Sequence, residues 1–327
     1  VKRGPHPAKP GPSTTVPLLD GRIVASHGRQ VQVEDAEGVR HACRLHGRRL
    51  EAVCGDEVQW AYAVAGDAQG TVYEILPRRT LLERLDGSGR TEPVVANLTQ
   101  LVAVVAPQPA PDWFVVDRYL AGAEWAGLAA VVTVNKSELP GADALAEELA
   151  NYAALGYAAV RCSTRAAPGA DALAARLADE SSVLVGQSGT GKSSLLNALV
   201  PEARAVTQEI SAATEEGRHT TTTSALHRLA SGGTLIDSPG VRDYAPALPT
   251  AREIGTGFRE IHAAAAGCRF QDCVHDAEPG CAVRAAVQAG TIRPRRFESY
   301  RRLVALAKDF AARFPERASP RGPRRGR

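Results

Sequence analysis

Short runs of strand-like composition, separated by turn residues, fill the chain from residue 20 to residue 77. Residues 21–24, 29–33, 39–43, 57–60 and 71–76 are rich in β-branched and aromatic side chains, and each is bounded by Gly, Asp or charged residues. Such closely spaced strands predict a small β-barrel. An oligonucleotide-binding (OB) barrel is a good candidate, which composition does not separate from an SH3-like one. A linker carrying Arg78, Arg79 and Arg84 follows. From residue 100 the pattern changes. Residues 100–106 are almost continuously apolar, as in a parallel strand covered on both faces. Helical stretches at 117–126, 142–155 and 192–199 then alternate with strands at 130–134, 158–162, 182–185 and 234–236. Alternation of this kind predicts a doubly wound α/β sheet. Beyond about residue 250 the chain turns helical around a group of cysteines.

The strand at 182–185 runs into Gly186-Gln187-Ser188-Gly189-Thr190-Gly191-Lys192-Ser193, with Ser194 opening the helix proper. Strand, Gly-rich loop and helix in this order form a phosphate-binding loop. The glycines let backbone N–H groups turn toward phosphate oxygens, Lys192 supplies a cation, and the Ser193 hydroxyl is placed for Mg²⁺. Asp237 ends a later strand in Asp237-Ser238-Pro239-Gly240, where its carboxylate reads as the metal-side acid and the Gly240 N–H faces a γ-phosphate. Between these elements, residues 217–223 form a Gly-hinged, hydroxyl-rich loop containing His219, Thr221 and Thr222. Either threonine of the pair is a candidate to complete the Mg²⁺ shell.

The strand at 130–134 leads into Asn135-Lys136-Ser137-Glu138, which reads as a guanine-recognition motif with Glu in the place usual for Asp. Ser163 and Thr164, after the strand at 158–162, match the segment that backs the guanine oxygen. This base reader precedes the phosphate loop, the reverse of ordinary GTP-binding domains, so the domain reads as circularly permuted. A P-loop ATPase or kinase, or an RNA-binding protein using nucleotide as a structural ligand, are the competing readings. Val241 stands where Ras-like enzymes carry a water-orienting Gln, so intrinsic hydrolysis is expected to be slow.

Cys268-x4-Cys273-x-His275-x5-Cys281 supplies three thiols and one imidazole. Four such ligands with no open position suit a structural tetrahedral Zn²⁺. The deaminase signature needs Pro-Cys-x-x-Cys, which Pro279-Gly280-Cys281 lacks. The 44% apolar content fits a globular chain, and no apolar run is long enough to span a bilayer. No secretory signal is evident, so the cytoplasm and no membrane partner are expected. The net charge is only +3, but the ends, 1–17 and 314–327, are basic and rich in Pro or Gly, and disorder is expected there.

Taken in order, these motifs make the chain resemble the circularly permuted small ribosomal subunit biogenesis GTPases, the RsgA/YjeQ family, from about residue 21 to residue 303. The resemblance implies an OB-type barrel at 18–80, a permuted GTPase domain at 81–248 and a helical zinc-binding domain at 249–313. It implies Mg²⁺-dependent GTP hydrolysis stimulated by the small ribosomal subunit, with that subunit and its rRNA as partners of a monomeric protein. It also points to His219 as the group that positions the attacking water.

Overall fold

The N-terminal strands close on themselves. β1 (Leu19–His27) pairs with β2 (Gln30–Glu34), β2 with β3 (Arg40–Leu45), β3 in parallel with β5 (Gly70–Ile75), β5 with β4 (Glu57–Tyr62), and β4 returns to β1. This circuit is that of an OB barrel and decides between the two barrels that composition allowed. Ile23, Val31, Val33, Val58 and Val72 fill the interior around the Trp60 indole. Gly70 makes room for that ring: a Cβ there would come within 2.9 Å of it. The computed structural model describes residues 17–62, 69–86, 88–200, 224–242 and 244–315. The 217–223 loop, with His219, Thr221 and Thr222, lies outside the described residues, as do 1–16 and 316–327.

β8 (Gln100–Val105), β9 (Ala129–Val134), β10 (Ala158–Arg161), β11 (Ser181–Val185) and β13 (Thr234–Asp237) form a parallel sheet in the order β10-β9-β8-β11-β13. Alternate side chains of β8 point to opposite faces. Leu101, Ala103 and Val105 join Leu120 and Tyr152 of helices α1 (Trp113–Trp125) and α2 (Ala146–Ala154). Val102 and Val104 join Leu173 and Leu195 of α3 (Asp171–Leu177) and α4 (Lys192–Leu199). The sheet is therefore wound on both faces, and the chain enters it through the base-motif strands before the phosphate-loop strand. The permutation inferred from motif order is thus visible as topology.

Four elements differ from the sequence-based expectation. β6 (Leu81–Leu85) and β7 (Thr91–Ala96) form a hairpin where a linker was expected. Pro93 inside β7 hides the strand pattern, yet is tolerated because this two-stranded ribbon leaves an edge for it. α3 is short and alanine-rich and was not among the expected helices. β12 (Ser224–Arg228), also unforeseen, lies antiparallel to β13 and pairs through Ala225 and Ser224 with Ala25 and Ser26 of β1. Among the described residues, barrel and α/β sheet are thereby one continuous sheet of eleven strands.

At the C-terminal end, α5 (Arg259–Ala265), α6 (Ala282–Gln288) and α7 (Pro294–Arg313) pack around Phe258, Ile261, Val283, Tyr300 and Leu303. Pro294 opens α7 at a position where its missing N–H costs nothing. Phe314, assigned by composition to the basic tail, packs its ring against Gly89 at the tip of the β6–β7 hairpin. A buried ion cluster fastens α7 to α1. The Asp117 carboxylate, fully buried, accepts from Arg296 at 2.7 Å, Arg295 at 2.8 Å and the Tyr152 hydroxyl at 2.6 Å. Glu260 of α5 takes the rest of the Arg296 fork, and Glu148 of α2 that of Arg295. Among the described residues no helix is long and apolar enough to cross a membrane.

Candidate functional site

The loop between β11 and α4 turns tightly because Gly186, Gly189 and Gly191 all take positive φ, at 152°, 83° and 92°. Side chains are excluded at two of them by contact as well: a Cβ on Gly191 would collide with Asn135 Nδ2, and one on Gly186 with the Val104 carbonyl. Lys192 lays its ammonium on the loop's own carbonyls, Gly186 O at 2.6 Å and Gln187 O at 2.9 Å. Carbonyl oxygens hold an ammonium only weakly compared with a phosphate, so a polyphosphate seated in the loop would outcompete them. Two loop side chains serve the fold. Thr190 is buried and donates to Gln187 O, and the Gln187 amide oxygen accepts from Asp112 N at the start of α1.

The base motif is bolted to the same loop. Asn135, buried, donates to Thr190 O at 2.9 Å, and Lys136, with φ of 56°, donates to Gly189 O at 2.6 Å and to Gln108 O at 2.9 Å. Ser137 N donates to Cys162 O, drawing Ser163 and Thr164 alongside. Glu138 is exposed, and the Ser163 hydroxyl beside it holds its carboxyl below the ordinary glutamate range. Ser163 in turn accepts from Arg165 N and Ala166 N, which fixes the turn behind it.

These elements surround one cavity of about 510 Å³, within the range of small-molecule sites. Its lining includes Ser188, Gly189, Gly191, Lys192, Ser193 and Ser194 of the phosphate loop with Lys136 beside them, Arg165, and Asp237 and Ser238. Asp237 sits at the end of β13, opposite Ala225 of β12, and Ser238 is anchored by a 2.8 Å hydrogen bond from Ser224. Gly240 lies beyond, in a single helical turn spanning Pro239–Arg242. Val241 is buried in the core with Leu82 and Val94, so it packs and does not face nucleotide. Arg165 went unnoticed in the sequence, although its position directly after Ser163-Thr164 was a usable signal.

The four metal-ligand candidates also converge. The ligand atoms of Cys268, Cys273, His275 and Cys281 all lie within 4.8 Å of one another. His275 Nδ1 is 3.6 Å from Cys268 Sγ and 3.5 Å from Cys281 Sγ, and those two sulfurs are 4.0 Å apart. A tetrahedron with Zn–S bonds of about 2.3 Å has edges of about 3.8 Å, so the cluster fits Zn²⁺. Burial favours the neutral form of His275, the form a metal needs. Glu278 accepts from Val274, Asp276 and Ala277 N–H groups and holds the loop, while Cys281 caps α6 by accepting from Arg284 N.

Fold and site together define a circularly permuted P-loop nucleotide-binding protein with an OB barrel and a Cys/His-bearing helical region. A family model described as RsgA GTPase matches residues 75–246. The chain belongs to the RsgA GTPase family, and is a GTP-hydrolysing enzyme. It is 44% identical over 291 residues to the small ribosomal subunit biogenesis GTPase RsgA of Chromohalobacter salexigens, covering 87% of this chain and 85% of that one. The protein of the same name from Azotobacter vinelandii is 42% identical over 299 residues, covering 88% and 86%. The crystal structure of YjeQ from Thermotoga maritima matches with a TM-score of 0.72 at 31% identity, covering 89% of this chain and 99% of that one. YloQ, described as a circularly permuted GTPase, matches at a TM-score of 0.69 and 25% identity, covering 96% and 100%.

Proposed function

We propose that this chain is a cytoplasmic, Mg²⁺-dependent GTPase that binds the small ribosomal subunit through its rRNA and couples GTP hydrolysis to late maturation of that subunit, acting as a monomer. The observation that carries the reading is a cavity lined by the phosphate loop, by Asp237 and by Lys136 of the base motif, in a sheet of permuted order. In this reading Lys192 and the N–H groups of residues 186–194 hold the phosphates. Ser193, Asp237 and one of Thr221 and Thr222 surround Mg²⁺, directly or through water. Gly240 N–H meets the γ-phosphate. Lys136 and Arg165 flank the nucleoside, and Glu138, steadied by Ser163, accepts from the guanine edge. Cys268, Cys273, His275 and Cys281 hold a structural Zn²⁺. The names of the curated relatives supply the ribosomal assignment.

Because Val241 is committed to the core, no side chain from that position orients water, and His219 is the candidate for that role. Phosphate release from GTP, measured with and without purified small subunits and with ATP as competitor, tests the proposal. Slow release that accelerates on adding subunits, with little competition by ATP, is expected. Unstimulated release or equal use of ATP would overturn it.

A further inference from the structure

The β6–β7 hairpin touches the turn after β13, the barrel and the end of α7. Its inner face backs the turn at residues 237–240. A Cβ placed on Gly240 would lie 2.8 Å from Val94 Cγ1 and 3.8 Å from Arg84 Nη1, so the hairpin stands directly behind that glycine. The segment leaving the turn is held as well: Arg84 bridges Pro246, and Ala247 N donates to Glu83 O at 3.2 Å. At its base the hairpin joins the barrel, where Val95 bridges Cys54, Ala96 N donates to Cys54 O at 3.1 Å and Asn97 Nδ2 donates to Gly55 O at 3.0 Å. At its tip, Gly89 is covered by the Phe314 ring at the end of α7.

We propose that this hairpin sets the position of the 237–240 turn, with Val94 and Arg84 as its positioning residues, and that it carries displacements of the barrel and of the α7 end to that turn. The proposal rests on the GTPase reading and adds to it the route by which a bound partner acts on the site. The turn faces a γ-phosphate, which GDP lacks. Loosening the support behind Gly240 therefore weakens binding of a triphosphate and leaves binding of a diphosphate untouched, because a ligand shifts an equilibrium only by its differential contacts. Arg84 and Glu92 form a half-exposed ion pair, so removing the guanidinium leaves the folded chain intact.

The test is titration of the full chain, with Mg²⁺, by GDP and by the β,γ-imido analogue of GTP. Val94→Ala is expected to weaken the triphosphate analogue about fivefold or more while GDP affinity stays within about twofold. Arg84→Ala shifts the ratio in the same direction. Phe314→Ala, at the far end of the hairpin, lowers the ratio too, and Phe314→Leu restores it. Parallel weakening of both nucleotides, or an unchanged ratio in Val94→Ala and Arg84→Ala, would show that the hairpin only packs. A parent chain that binds neither nucleotide would instead overturn the GTPase reading, and this proposal with it.

Discussion

Asp117 offers the sharpest test of how the molecule is held together. Its carboxylate is fully buried and faces two guanidinium groups, from Arg295 and Arg296, as well as the Tyr152 hydroxyl. Asp117→Asn preserves shape but removes the charge. Breaking a buried ion cluster from one side costs about 3–5 kcal/mol, because the partner charges stay buried without compensation. Here Arg296 keeps Glu260 and Arg295 keeps Glu148, so the lower end, about 3 kcal/mol, applies. For a unit of this size the apparent melting midpoint should fall by roughly 6–12 °C. Trp113, at the start of α1, lies against the Arg295 guanidinium, so tryptophan fluorescence reports loss of the junction. The triple change Asp117→Leu, Arg296→Met and Glu260→Leu should recover most of the deficit, since apolar groups of similar volume replace the buried charges at little cost while Arg295 keeps Glu148. A midpoint within about 1 °C of the parent in Asp117→Asn would refute the argument, because it would mean the cluster contributes no more than an exposed pair.

Three further outcomes follow from the site. Gly191→Ala combines a left-handed backbone with a collision against Asn135, so nucleotide affinity should fall at least about tenfold, read by titration with GDP. Cys273→Ala should abolish stoichiometric zinc in elemental analysis and destabilise the C-terminal helices while sparing nucleotide binding, and native protein free of zinc would refute the assignment. His219→Ala should keep GTP affinity and lose subunit-stimulated turnover, whereas Lys192→Ala loses affinity as well; full stimulation of His219→Ala would reduce that histidine to an ordinary loop residue.

What could be read from the sequence divides by the range of the interaction. The barrel strands and the phosphate-loop helix were legible because period and local turn chemistry determine them, and the helix at residues 192–199 falls where the motif put it. α1 begins earlier than expected, at Trp113, because Asp112 caps it by accepting from Phe114 N, a local signal that was present and unused. The hairpin was hidden by Pro93 and by a polar turn, and its few buried residues, Leu82, Val94, Val95 and Ala96, declare themselves only once the core exists. The Asp117 cluster joins residues nearly 180 positions apart (Asp117 and Arg296 differ by 179), and no local pattern foretells such a pairing. Of the candidate site, the motifs were local and readable. The bonds tying Asn135 and Lys136 to the phosphate loop were not.

Those bonds constrain where nucleotide state is sensed. Asn135 and Lys136 donate to Thr190 O and Gly189 O, so base motif and phosphate loop form one rigid wall. A rigid wall binds but does not report, because its two halves cannot move apart without breaking the buried Asn135–Thr190 hydrogen bond. The start of α7 is fixed to the same body through Asp117, on α1. The opposite wall is built differently. Asp237 and Ser238 lie at the end of β13, Ser238 is tied to Ser224 of β12, and β12 is hydrogen-bonded on to β1 of the barrel. Gly240 rests on Val94 of a hairpin whose base is also joined to the barrel. A γ-phosphate that draws in the 237–240 turn therefore pulls on two connections, and both lead to the barrel. Any partner that grips the barrel acts back through the same connections, since coupling between two sites is reciprocal.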